Sequence, residues 1–399
     1  MRKTKIMLMV AGITALAMGG VSVPRVVAEQ ALLLKAHDGE NRPLIQVALL
    51  LDTSNSMDGL IDQARTQLWT IVNEFARCKR EGRTPRLQVA LYEYGNDSLS
   101  ARSGHVRLVQ PFTGDLDLVS EKLWGLKTNG GSEFCGTVIR DAAKELSWAD
   151  AGASLDRNVY RAIFIAGNEP FTQGSVDYRS ATGMAVGKGI VVNTIHCGAD
   201  DAGRSGQWAD GARLGEGSYM TINQDRVIRG IIAPQDEKIQ KLSLELNETY
   251  IPYGDAGGTG VARQAAQDSV MTSAPSAVAA NAGVDRAVAK AQEQYNNAGW
   301  DLVDALKEGK EDLKMMKDEA LPAAIRELPA AERETYVKEK ASKRAEIQKE
   351  INQLNDERAK FVAEEQRKQT GGDDTLNSAV IKVVQEQLKA RDFEVAETK

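Results

Sequence analysis

Cysteine and histidine are scarce, with three of each in 399 residues. Cys78, Cys135 and Cys197 are too few and too scattered for a zinc framework, which would want paired C-x2-C spacing. His37, His105 and His196 form no H-E-x-x-H pair, and the chain has no Gly-x-Ser-x-Gly elbow. Neither a zinc peptidase nor a serine hydrolase is indicated. A basic excess is also lacking, since the formal charge is −6. Phosphate binding needs clustered Lys and Arg on one face, so nucleic acid is not an expected partner. Beyond the first 23 residues no apolar run reaches 18, so no membrane span is expected there.

The one long apolar run lies at the start. Arg2, Lys3 and Lys5 precede Ile6 to about Val23, and Val26-Val27-Ala28 places small residues three and one before a cut after Ala28. This reads as a signal peptide, residues 1–28. A retained anchor is the alternative, but Gly12, Gly19, Gly20 and Pro24 interrupt a run that barely reaches the roughly 20 residues of a span. Cleavage removes Arg2, Lys3, Lys5 and Arg25 and no acid, which makes the remainder more acidic. The expected product is exported, periplasmic or secreted, from a Gram-negative bacterium, with no membrane span after cleavage.

After a lead-in over residues 29–43, short apolar runs alternate with helical stretches. Leu44 to Leu51 is nearly all apolar, as a central parallel strand should be. The next helix places Leu60, Ala64, Leu68, Ile71, Val72 and Phe75 at three- and four-residue spacing. Further strands are predicted at 87–94, 105–111, 162–166, 190–195 and 218–222. The fold class is therefore α/β, a doubly wound and mostly parallel six-stranded sheet over residues 44–230. Residues 231–283, rich in Gly, Ala and Ser towards their end, read as a connecting linker. Residues 284–399 read as an all-α region of three helices, broken by Pro322, Pro329 and Gly371-Gly372. Within it Ile347, Ile351, Leu354, Arg358 and Phe361 follow coiled-coil spacing over about two and a half heptads. That seam fits either self-association or a helical hairpin inside one chain.

Chemistry concentrates in Leu51-Asp52-Thr53-Ser54-Asn55-Ser56. One carboxylate and two hydroxyls at alternate positions, leaving the C-terminal end of a buried strand, can converge on one point. Hard oxygen donors of this kind suit Mg²⁺, with Mn²⁺ or Ca²⁺ as alternatives. The segment resembles the D-x-S-x-S signature of the metal-ion-dependent adhesion site of von Willebrand factor A-type (VWA) domains, and the resemblance covers roughly residues 44–225. It implies that Ser54 and Ser56 bind metal directly and Asp52 largely through water, with a Thr and an Asp from two later loops. Ser132, after Asn129-Gly130-Gly131, stands where the Thr is expected; Thr137 is a weaker substitute because it falls inside a predicted helix. Gly167 stands where the Asp is expected, so a carboxylate is missing. Asn168 or Glu169 is left to replace it. Losing that charge should weaken cation binding and draw an acidic partner group more strongly to the open position. The competing reading is that Asp52, Ser54 and Ser56 merely cap the first helix.

Cys135 and Cys197 fall at the same edge of the sheet as this loop, so either they form a disulfide that leaves Cys78 free or all three are buried thiols. An aspartyl phosphatase would need an acid two residues after Asp52, where Ser54 stands. Asn247-Glu248-Thr249 matches a glycosylation sequon, a pattern that arises by chance. The expected function is an exported binding module that engages an acidic side chain of a protein through the metal, not an enzyme. The alternatives are a cell-envelope scaffold with a degenerate site, using the C-terminal helices for contact, and a metal-assisted hydrolase.

Overall fold

The computed structural model describes residues 42–58, 60–149, 158–222, 231–273, 277–370 and 376–395. The signal-peptide reading, nearly all of the lead-in and the Gly371-Gly372 break lie outside them. No described helix is long and apolar enough to cross a membrane.

The first half is a six-stranded sheet. In chain order its elements are β1 (Leu44–Asp52), α1 (Ile61–Phe75), the short β2 (Cys78–Lys79, outside the sheet), β3 (Arg86–Tyr94), β4 (Val106–Thr113), α2 (Leu116–Trp124), α3 (Cys135–Glu145), β5 (Val159–Gly167), α4 (Tyr178–Gly187), β6 (Val191–Cys197), α5 (Asp200–Ser205), α6 (Trp208–Leu214) and β7 (Glu216–Ile222). The strand order is β4-β3-β1-β5-β6-β7, and every pair is parallel except β3–β4. β1 sits mid-sheet with all nine residues buried. Period-two alternation splits it between two cores. Ile45, Val47, Leu49 and Leu51 meet α1 and α2 on one face, whereas Ala48 and Leu50 meet α3 and α4 on the other. Each fully buried Leu or Ile contributes about 2–3 kcal/mol relative to exposure.

The second half consists of α7 (Asp236–Asn247), α8 (Gly257–Ser273), α9 (Ala277–Lys290), α10 (Leu302–Lys307), α11 (Ala323–Arg326), α12 (Ala330–Thr370), α13 (Leu376–Lys389) and β8 (Glu394–Val395). Pro322 and Pro329 precede α11 and α12, where the missing N–H of proline is harmless. Residues 231–283 are not the linker their composition suggested. Ile239, Leu242 and Leu246 of α7 join the core on the α1 face, as do Val284 and Val288 of α9 and Val380, Val384 and Leu388 of α13. The composition misled because α8 packs through small and polar groups. A β-carbon at Gly260 would overlap the Trp300 ring, and Gln267 accepts from the Ser120 hydroxyl at 2.8 Å.

Buried ion pairs complete this docking. The Arg286 guanidinium donates to Asp117 of α2 at 2.8 Å and to Asp268 of α8 at 2.6 Å, and Lys290 meets Asp268 at 2.8 Å. Arg344 of α12 bridges Asp301 and Asp304 at 2.7 and 2.9 Å. The predicted coiled-coil seam is spent within the chain. Ile347 and Ile351 lie in the core, and Arg358 pairs with Asp236 of α7 at 2.7 Å. Finally β8 pairs antiparallel with β2, placing Val395 opposite Cys78 just past the end of α1.

Candidate metal centre

The strand β1 delivers Asp52 to the C-terminal edge of the sheet, where the Thr53 N–H still bonds the Tyr94 carbonyl of β3 at 2.9 Å. Ser54 stays extended, and Asn55–Met57 form one 3-10 turn. That geometry points three side chains the same way. The Ser54 N–H donates to Asp52 Oδ1 at 2.8 Å, and the Ser54 and Ser56 hydroxyls lie 2.8 Å apart. The loop is pinned from a neighbour: Asn55 N–H donates to the Gly130 carbonyl at 2.6 Å, and Asn129 N–H to the Thr53 carbonyl at 2.9 Å. Asn96 adds side-chain bonds to Thr53 and to the Lys127 carbonyl.

The helix-capping reading fails. α1 begins at Ile61 behind Leu60 with no side-chain cap, and Ser54 makes no side-chain cap to the 3-10 turn. The alternating carboxylate and hydroxyls are therefore left facing a common point.

The loop after β5 closes the far side. The Ser56 hydroxyl donates to Asn168 Oδ1 at 3.0 Å, and Asn168 Nδ2 donates to the Ser56 carbonyl at 3.3 Å. Glu169 instead accepts from Gln173 at 3.4 Å. Of the two candidates for the missing aspartate, Asn168 is the one that touches the D-x-S-x-S loop. His196 contacts the Asn168 carbonyl at 3.1 Å through Nε2, and burial lowers its pKa, so it positions that loop as a neutral ring.

Position 167 is filled by a neighbour. A β-carbon there would overlap the Tyr94 hydroxyl and would lie 3.1 Å from both Asp52 Cβ and Oδ2. Tyr94 is fully buried and donates to the Ala166 carbonyl at 3.0 Å. An aspartate at this place is thus excluded by Tyr94, a link that no local motif reveals.

The Ser132 loop brings a second acidic side chain to the site. Ser132 reaches the rim through its backbone, pairing with Gly95 at 3.4 Å, and Thr137 sits inside α3 against Gly104. Glu133, one residue on, turns inward and is 4% exposed. A β-carbon on Gly95 would meet Glu133 Cγ at 3.0 Å and Asp52 Oδ1 at 2.6 Å, so the two acidic side chains share the space above that glycine. Burial raises the Glu133 pKa, against a hydrogen bond from Ser54. Burial also lifts Asp52 to about 7, opposed by the Ser54 N–H and reinforced by repulsion from Glu133. Asp52 Oδ2 is buried without a hydrogen-bond partner. Two carboxylates, two hydroxyls and an amide oxygen from three loops thus gather at this edge of the sheet, a donor set whose chemistry fits a hard divalent cation.

The possible disulfide is corrected. Cys78, Cys135 and Cys197 are all free and buried. Cys135 belongs to the core on the α3 face and Cys197 to that on the α1 face, so the sheet edge separates them.

The strand order with a single antiparallel edge, and a D-x-S-x-S loop at the C-terminal end of β1 facing the loops after β3 and β5, decide the fold type. Residues 44–222 have a VWA-like fold. No family model and no curated protein matches the sequence. Similar solved structures include the conserved hypothetical protein BatB from Bacteroides thetaiotaomicron, at 16% identity, 45% of this chain, 90% of that chain and a TM-score of 0.35. The SpRpn10 VWA domain follows at 13% identity, 48% of this chain, all of that chain and a TM-score of 0.34. Proximal thread matrix protein 1 of the mussel byssus, with a zinc-occupied MIDAS motif, has 10% identity, 47% and 43% coverage and a TM-score of 0.33. This chain therefore spans less than half of the mussel protein.

Proposed function

We propose that the protein is an exported adhesion or scaffold module rather than an enzyme, and that its VWA domain holds a divalent metal, Mg²⁺ or Mn²⁺, to engage an acidic group on a partner protein. Asp52, Ser54 and Ser56 would hold the ion, with Asn168 closing the site from the β5 loop. The metal would supply an open coordination position for an incoming carboxylate. What supports the reading above all is Asp52, fully buried with its Oδ2 lacking a hydrogen-bond partner. Burial favours the neutral form of this carboxyl, and a bound cation would restore the charged one.

The scaffold reading, with a degenerate site, draws on the Tyr94 hydroxyl that fills the space beside Gly167. Calorimetric titration of Mg²⁺ and Mn²⁺ into the chelator-treated chain separates the two. Saturable one-site binding, lost in Asp52→Ala/Ser54→Ala, is expected. No binding at millimolar metal would leave the VWA domain as a scaffold.

A further inference from the structure

We infer that Glu133 is a metal ligand, supplying from the loop before α3 the carboxylate that Gly167 lacks on the loop after β5. The inference rests on the metal-site reading and specifies its ligand set. Three observations carry it. Glu133 is nearly sealed from solvent although it sits on a loop rim, where a glutamate is normally solvated. Its side chain is folded back over the site by two glycines: a β-carbon would lie 3.2 Å from Glu133 Oε1 at Gly131 and 3.0 Å from its Cγ at Gly95. The same Gly95 β-carbon would strike Asp52 Oδ1, so both carboxylates lean over one backbone position.

Neither Asp52 nor Glu133 has an ion-pair partner among the described residues. Two carboxylates that share a buried space without Lys or Arg repel each other across a medium of low dielectric. A divalent cation between them removes that repulsion. The donor set becomes two carboxylates, the Ser54 and Ser56 hydroxyls and the Asn168 amide oxygen, all hard. Tyr94 explains why the charge moved, because its hydroxyl occupies the volume an aspartate at 167 would need. The expectation that the site is short of one negative charge is thereby reversed.

The test is Mn²⁺ calorimetry on the full chelator-treated chain, comparing wild type, Glu133→Gln and Asp52→Ala/Ser54→Ala. Glu133→Gln keeps the size and removes the charge, and it should weaken binding tenfold or more while the far-UV spectrum of the metal-free protein is unchanged. Binding within twofold of wild type would overturn the assignment and leave the metal reading standing. Absence of binding in wild type would overturn both. Should Glu133→Gln fail to fold, crystals of the wild type with Mn²⁺ decide. An anomalous peak with a Glu133 oxygen within about 2.6 Å supports the inference, and a metal held without Glu133 refutes it.

Discussion

Introducing a single methyl group at Gly167 should reveal how tightly that position is coupled to Tyr94. The β-carbon of Gly167→Ala would lie well inside van der Waals contact of the Tyr94 hydroxyl and 3.1 Å from Asp52 Cβ. Tyr94 cannot swing aside freely, because it is fully buried and its hydroxyl donates to the Ala166 carbonyl. Overpacking of this kind typically costs about 1–3 kcal/mol. Against it stands a gain of about 0.4–1 kcal/mol from the stiffer unfolded chain. Net destabilisation of about 1–2 kcal/mol is expected. Tyr94→Phe alone forfeits the hydrogen bond to the Ala166 carbonyl and the weak one from the Cys135 thiol, roughly 1 kcal/mol together. In the double variant the overlapping atom is gone, so the steric loss should be relieved while the Asp52 contact persists. Urea denaturation of the four proteins closes a double-mutant cycle, and a coupling of at least about 1 kcal/mol is expected. Additive effects would refute the reasoning, since Tyr94 could not then be the reason an aspartate is excluded.

Alkaline stability should report the three buried thiols. Burial raises Cys78 to about 12, and Cys135 and Cys197 further still. A folded pKa above the unfolded value means that stability is full below about pH 8.5 and is lost as pH rises, at about 1.4 kcal/mol per unit for each thiol. Lys290, lowered to about 8 by burial, acts in the opposite sense, adding stability from about pH 8 to 10.4. The thiols outnumber it, so the urea midpoint should fall steeply between pH 9 and 10. A flat profile would contradict the buried, free state of the cysteines. Asp117→Asn should cost about 1–3 kcal/mol, because Arg286 keeps Asp268 but loses the second of its two carboxylates. Urea denaturation checks this, and a loss below about 1 kcal/mol would show that the pair does not hold α9.

Much of the sheet was legible because β1 and β5 are largely apolar on both faces and each parallel connection contains a helix. The D-x-S-x-S loop was legible for a related reason: its chemistry lies within five consecutive residues. What stayed hidden depends on residues far apart in sequence. Glu133 is an ordinary acid on a glycine-rich loop until Gly95, 38 positions earlier, places it over Asp52. Gly167 reads as a lost ligand until Tyr94 is seen in the space. Residues 231–283 read as a linker because sequence pattern weighs large apolar side chains, whereas α8 docks by close backbone approach and by Asp268 meeting Arg286 and Lys290. The coiled-coil seam was found, but periodicity does not specify the partner helix.

The buried ion pairs also bear on how the candidate metal site is held. Such pairs are weak evidence for stability, because desolvation offsets most of their attraction. Their geometric demand is strict, however, and here it falls on α2. Asp117 at its first turn receives both Arg286 at 2.8 Å and the Tyr295 hydroxyl at 2.6 Å. At its other end the Arg65 guanidinium of α1 donates to the Leu126 carbonyl and stacks over Trp124. The helix is thus fixed at both ends, once by the C-terminal helices and once by α1. The chain then runs from Leu126 to Gly130, whose carbonyl accepts from Asn55 in the D-x-S-x-S loop, and on to Glu133. A site whose donors come from three loops needs each loop to start from a rigid element. On this reasoning the second half of the chain fixes the origin of the Glu133 loop, while its described helices cover the α1 face.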